Sequence, residues 1–128
     1  MAQPALILFA HGSRDAAWAE PFLRLQALVQ ARRPDAMVEL AFLELMEPRL
    51  PDLAARLLDQ GCRDIVIVPV FLAQGGHVRR DLPAMVERLR AAYPDARLTV
   101  APAVGESEGV REAMAGYCAG MLEEGRGG

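Results

Sequence analysis

Short apolar runs alternate along the chain with segments whose apolar residues recur every three or four positions. Ala5-Leu-Ile-Leu-Phe9 is a continuous apolar run bounded by polar residues, the pattern of a strand buried on both faces. Trp18, Phe22, Leu25 and Val29 then form one stripe on a helix that starts close to Pro21 and ends near Arg33. Pro34-Asp35-Ala36 turns the chain into a second strand, Met37 to Leu43, and Glu44 to Pro48 forms the next turn. Leu50, Leu53 and Leu57 mark a second helix closed by Gly61. Ile65 to Val68 with Pro69-Val70-Phe71 is β-branched and apolar, as a central parallel strand is, and its ladder should fail at Pro69. Leu72 to Arg80 is expected to be a connection, with Asp81 as N-cap and Pro83 in the first turn of a third helix carrying Leu82, Val86, Leu89 and Tyr93. Pro94-Asp95-Ala96 repeats the earlier turn before a fourth strand, Arg97 to Ala101. Ser107 opens a last helix striped by Val110, Met114, Tyr117 and Met121.

The order βαβαβαβα predicts one doubly wound, flavodoxin-like α/β domain over residues 1–124, with a flexible tail over 125–128. Its four-stranded parallel sheet should run 2-1-3-4, with helices on both faces and right-handed crossovers. In such sheets ligands bind beyond the carboxyl ends of the strands, where the strand order reverses.

Composition narrows the class. A chain of 128 residues is one domain by default, and a core of that size gains from dimerisation. The net charge of -3 gives no electrostatic footprint for nucleic acid or an anionic membrane. No apolar run approaches the ~20 residues of a membrane span, and the chain enters a strand with no basic leader, so a cytoplasmic location is expected. Cys62 and Cys118 lack CxxC spacing and are expected to be small buried thiols. All 14 basic residues are Arg, the side chain best shaped for carboxylates.

The polar residues then fall into place. His11 follows strand one, Glu44 follows strand two, and His77 follows strand three after a loop. These are the only two histidines, and both lie at the expected binding edge. Two neutral imidazoles and a carboxylate suit divalent cobalt, nickel, iron or zinc, and suit magnesium poorly. Affinity should fall in acid, because histidine must be neutral to ligate. A lone histidine is more often a hydrogen-bonding residue, and Glu44 alone would be a solvated turn carboxylate with Glu47 as its competitor. Gly75-Gly76 either permits positive φ angles or lets backbone approach a planar ligand. Arg14, Arg79 and Arg80 are solvated charges or clamps for ligand carboxylates. Ser13 lacks a nucleophile elbow, and no phosphate loop is present, which argues against coupling to ATP.

Leu8-Phe-Ala-His11-Gly-Ser-Arg14, Phe42-Leu-Glu44, and Val68-Pro-Val-Phe-Leu-Ala-Gln-Gly-Gly-His77 with Asp81-Leu-Pro83 resemble the short sirohydrochlorin chelatases of the CbiX type. These belong to the ATP-independent class II chelatases, relatives of ferrochelatase. The likeness runs from the first strand to the last helix. It implies insertion of a divalent metal, cobalt(II), into sirohydrochlorin for cobalamin biosynthesis. Iron(II) for siroheme, or nickel(II), is the enzymatic alternative, and no cofactor is implied beyond the substrate metal. The resemblance makes His11 and His77 the metal-binding pair, with His11 also the proton acceptor. It makes Glu44 and the segment Phe71, Leu72, Ala73, Gln74, Gly75 and Gly76 contacts of the tetrapyrrole. On chemical grounds His11 or Glu44 can serve as the catalytic base. A short copy of this kind resembles the homodimeric form, whereas long relatives fuse two such domains. Two other classes compete: a non-catalytic tetrapyrrole or metal carrier of the same fold, and a flavodoxin-like binding module whose histidines are structural.

Overall fold

A computed structural model describes residues 3–127. Its elements are β1 (Ala5–Ala10), α1 (Glu20–Arg32), β2 (Met37–Phe42), α2 (Leu50–Asp59), β3 (Asp64–Pro69), α3 (Gly76–Ala92), β4 (Arg97–Val100) and α4 (Glu108–Gly127). The sheet order is β2-β1-β3-β4, with every pair parallel, so the doubly wound α/β architecture is the expected one. β1 is central: Leu8 sits opposite Leu40 on one side and Val68 on the other. The β1–β3 ladder ends at the pair Phe9–Pro69, where the proline nitrogen has no proton to donate.

Alternate residues of these strands face opposite ways. Ile7, Phe9, Ala41, Ile65, Ile67 and Leu98 face α2 and α3 and form the larger core with Leu50, Leu53, Leu57, Val78, Leu82 and Val86. Leu8, Ala10, Val38, Leu40 and Phe42 face the other way, beneath α1. There the stripe Trp18, Phe22, Leu25 and Val29 packs only partly buried, with Trp18 in a 3₁₀ turn (Ala16–Ala19) ahead of α1. Asp15 caps that turn by accepting from the Ala17 amide at 3.0 Å. Gln26 and Gln30 of α1 hydrogen-bond the backbone of Ala36 and Val38, which occupies polar groups on the exposed edge of β2.

Three expectations need correction. First, α3 begins at Gly76 with Gly75 as its N-cap, so Asp81 is not a cap and Pro83 lies inside the helix. The buried line Val78, Leu82, Val86, Leu89 starts one turn before Asp81. Burying that extra turn outweighs the hydrogen bond Pro83 cannot donate, a defect that costs ~3 kcal/mol in a helix interior. Second, α4 continues through Gly127, so residues 125–127 are helical where a tail was expected, and residue 128 lies outside the described residues. Third, Cys62 is buried but Cys118 is exposed on α4, because among the described residues no element but the 3₁₀ turn Val104–Glu106 makes more than a marginal contact with that helix. Among the described residues no helix is long and apolar enough to cross a membrane.

Candidate active site

The three turns at the carboxyl ends of β1, β2 and β3 are tied to one another through the backbone. The Leu43 amide donates to the Ala10 carbonyl at 2.9 Å, and the Glu44 amide to the His11 carbonyl at 3.1 Å. Gly12 makes this approach possible: its φ is +96°, and a Cβ there would lie 1.8 Å from the Glu44 carbonyl oxygen. His11 and Glu44, 33 positions apart in sequence, are therefore adjacent at the main chain. The Val70 amide reaches back to the Phe9 carbonyl at 2.8 Å and brings the third turn alongside. Ser13 accepts from the Asp15 amide at 3.1 Å, a turn-forming role that gives it no catalytic partner.

A cavity of about 260 Å³ opens at this edge between the start of α2 and the face of α3. Its polar lining is Glu44, Arg49, His77, Asp81 and Arg88, and Phe9, Phe42, Leu50 and Met85 form its apolar floor. His77 is the second residue of α3, and its Nε2 lies 3.0 Å from Asp81 Oδ2 one turn further on. Asp81 thus flanks the Nε2 side of the ring, and Nδ1 is the ring nitrogen with no protein partner among the described residues. Both side chains reach solvent, at 70% and 45% relative exposure, so the pair is accessible as well as oriented.

His11 is placed differently from expectation. Its ring stacks on Phe71, with centroids 4.2 Å apart and planes tilted by 32°, and it does not line the cavity that holds His77. Among the described residues no cluster of three or more His, Cys, Asp or Glu side chains is arranged to hold a metal. The expected set of His11, Glu44 and His77 is thus not preassembled within one chain. Glu44 and His77 share a cavity, the aromatic contact keeps the His11 ring against Phe71, and the nearest acidic partner of His77 is Asp81. Phe71, expected to touch a ligand, is only 5% exposed and packs edge-on against Phe9 at 5.6 Å, so it supports His11 from behind.

The rest of that loop is open. Leu72, Ala73, Gly75 and Gly76 are exposed and Gln74 is half-buried. Neither Gly75 nor Gly76 adopts a positive φ, and a Cβ on either would meet nothing within 4 Å. The conformational reason for these glycines is therefore absent, and the bare backbone leaves room for a flat ligand. Arg14, Arg79 and Arg80 are exposed, and none forms an ion pair among the described residues.

Asp81, Arg49 and Arg88 were not singled out as site residues by sequence reasoning. A signal for two of them exists: His77, Asp81 and Arg88 recur at helical spacing one position ahead of the buried line Val78, Leu82, Leu89. It becomes visible only once α3 is known to start at Gly76. Arg49 joins the site because the Phe42 amide bonds the Pro48 carbonyl at 2.9 Å and brings the residue preceding α2 to the edge of β2.

The CbiX family model matches residues 5–117 of this chain. The sirohydrochlorin cobaltochelatase of Methanocaldococcus jannaschii is 38% identical over 82 residues, which cover 64% of this chain and 57% of that protein. This chain thus spans a little over half the length of that relative. The sirohydrochlorin cobaltochelatase of Sulfolobus acidocaldarius is 31% identical over 100 residues, 78% of this chain and 77% of that one. Among solved structures, a CbiX protein from Marinobacter aquaeolei VT8 superposes with a TM-score of 0.80 at 36% identity, covering 94% of this chain and 98% of that one. The SirB chelatase of Bacillus subtilis subspecies spizizenii, solved with cobalt, superposes with a TM-score of 0.72 at 26% identity, covering 84% of this chain and 46% of that one. Strand order, the three edge turns and these alignments converge on one assignment: the chain belongs to the CbiX family.

Proposed function

We propose that this protein is a sirohydrochlorin cobaltochelatase that inserts cobalt(II) into the macrocycle without ATP, for cobalamin biosynthesis. The observation that carries this reading is the cavity shared by Glu44, His77 and Asp81 at the binding edge of a CbiX-family fold. Metallation must strip water from the ion and remove two pyrrole protons. His77 takes the ion through Nδ1, while the Asp81 carboxylate, 3.0 Å from Nε2, stands against the other side of the ring. Glu44 stands on the same cavity wall as a proton acceptor, and a base placed at a reacting proton contributes ~10²–10⁴-fold. His11, exposed beside Phe71, is the second imidazole facing the ring and the alternative base. A tetrapyrrole does not fit within 260 Å³; it lies over the cavity mouth, on the bare backbone of Gly75 and Gly76 and the exposed Leu72.

The substrate carries eight carboxylates, and Arg14, Arg79 and Arg80, in no ion pair among the described residues, are the matching charges on this chain. Because the cavity covers only the ion's side of such a ligand, the working form is a homodimer whose second copy walls the other side. In this reading the protein acts in the cytoplasm, where Cys62 and Cys118 remain thiols.

The test is metallation followed by absorbance with cobalt(II), nickel(II) and iron(II), for wild type, His77→Ala, His11→Ala and the Arg79→Glu, Arg80→Glu double variant. Cobalt insertion well above the spontaneous rate, reduced about 100-fold or more by His77→Ala, is expected. The double arginine variant should raise KM for sirohydrochlorin. Binding of ring and metal with no acceleration would make the protein a carrier and end the proposal. Faster iron than cobalt insertion would move it to the siroheme branch.

A further inference from the structure

Arg49 and Arg88 have no part in the metal chemistry of the cavity they line. The other polar groups there, Glu44, His77 and Asp81, attract a divalent cation, whereas a guanidinium carries a permanent positive charge and repels one. Nor are the two arginines counter-ions to those acids. Among the described residues neither is in an ion pair, although Glu44 and Asp81 line the same cavity. Two guanidiniums beside one small cavity, neither with a counter-ion, describe a site for an anion, and their fork matches a carboxylate best.

The fold brings the pair together from two elements. Arg49 immediately precedes α2 and is held at the edge of β2 by the bond from the Phe42 amide to the Pro48 carbonyl, at 2.9 Å. Arg88 follows His77 by eleven positions on α3, three turns or ~16 Å along the axis. Helical side chains lean toward the N-terminus of their helix, so Arg88 reaches back along α3 toward His77 and lines the cavity. Between the two arginines the lining is Leu50, Pro51, Ala84 and Met85. Leu50 is fully buried and Met85 half-buried. Such a lining suits the methylene carbons of a side arm, and it weakens the screening of a charged hydrogen bond at the arm's end. The cavity of about 260 Å³ is too small for a macrocycle and open to one of its arms.

We infer that Arg49 and Arg88 form a carboxylate subsite inside the cavity, which takes one acidic side arm of the macrocycle and sets how the ring is turned over His77. The inference rests on the chelatase reading given above and deepens it. Arg14, Arg79 and Arg80 lie outside the cavity lining, where they attract the ring without fixing its rotation; an arm threaded between two guanidiniums allows one orientation. The subsite also couples ring to metal. An empty cavity presents two positive charges that oppose entry of cobalt(II), and a bound carboxylate offsets part of that charge. Ring binding therefore favours metal binding, and by linkage the metal favours the ring by the same factor.

The test is the double variant Arg49→Met, Arg88→Met, which keeps the length of both stems and removes both charges. Both side chains are exposed and in no ion pair among the described residues, so an unchanged circular dichroism spectrum is expected. Sirohydrochlorin binding, read by absorbance titration, should weaken 10-fold or more, with KM rising in step. Cobalt(II) titrated into the ring-free protein should bind as tightly as to wild type, or several-fold tighter. Damage to the cavity would instead weaken both, and that result, or an unchanged ring affinity, would overturn the inference. The double variant Arg32→Met, Arg56→Met removes the same charge at two exposed positions outside this cavity and should leave ring affinity within two-fold. An equal loss there would reduce the effect to net charge and overturn the inference as well. If the methionine variant does not fold, Arg49→Lys, Arg88→Lys keeps the charge and loses the fork; it should weaken ring binding several-fold, and wild-type affinity in it would count against the subsite. The two readings fail separately. Ring binding weakened by the variant, with no metallation by any of these proteins, would end the chelatase reading and leave the subsite; metallation with ring affinity unchanged in the variant would do the reverse.

Discussion

The same four strands supply both faces of the sheet, yet the two faces differ in how completely they are sealed. Under α2 and α3, Ile65 and Ile67 are fully buried; one residue along in the same strand, Val66 and Val68 are half-buried. α2 buries Leu50, Leu53, Leu57 and Leu58, whereas α1 has no residue in that class. Ile65, Ile67, Val66 and Val68 are all β-branched aliphatic residues, so residue type does not explain the difference between them. The number of helices that return to each face does. The candidate site follows the same division: the cavity with Glu44, His77 and Asp81 opens at the end of the sealed face, where the neighbouring Val78 and Leu82 bury α3 against the core.

The contrast can be broken most forcefully from the sealed side. Leu53→Ala, at a fully buried position, is expected to cost 2–5 kcal/mol in urea unfolding, independent of protein concentration. Asp81→Asn comes next: it keeps the shape of the helix but removes the charge that orients His77. Cobalt(II) affinity, read by direct titration, should fall 10–100-fold with little change in unfolding midpoint. Val68→Ala on the half-open face should cost ~1 kcal/mol or less in dilute protein, and more as concentration rises if a second copy covers it. The smallest effect belongs to Tyr93→Phe, which removes the hydrogen bond from the Tyr93 hydroxyl to Asp59 Oδ1 at 2.7 Å that links the ends of α3 and α2. That hydrogen bond to the Asp59 carboxylate, with desolvation and charge repulsion adding to it, holds the tyrosine pKa above its ordinary 10.0. The contribution is fully present below pH ~10 and disappears as pH rises through the higher native value, so the two proteins should converge in unfolding midpoint at strongly alkaline pH.

Much of the fold was legible because helix and strand periods differ and short β-α alternation permits few topologies. Ala5–Phe9, Ile65–Val68 and the Pro-Asp-Ala turns were sufficient to place the strands. At the site, His11, Glu44 and His77 were legible as residues of one sheet edge, since each follows a strand. Their mutual arrangement was not. Pro83 masked the true start of α3, and with it the role of Asp81. The stacking of His11 on Phe71 depends on a contact between residues 60 positions apart.

By itself, then, the sequence determined which residues reach the carboxyl edge of a parallel sheet, because a turn that follows a strand can lie only there. Only the tertiary structure decided which of them meet: Glu44 and His77 across one cavity, Asp81 behind His77, His11 apart on Phe71. Proximity in a folded chain is set by side-chain direction, by backbone wedges such as Gly12 against Glu44, and by where each helix is anchored. None of these is a property of a residue's place in the order.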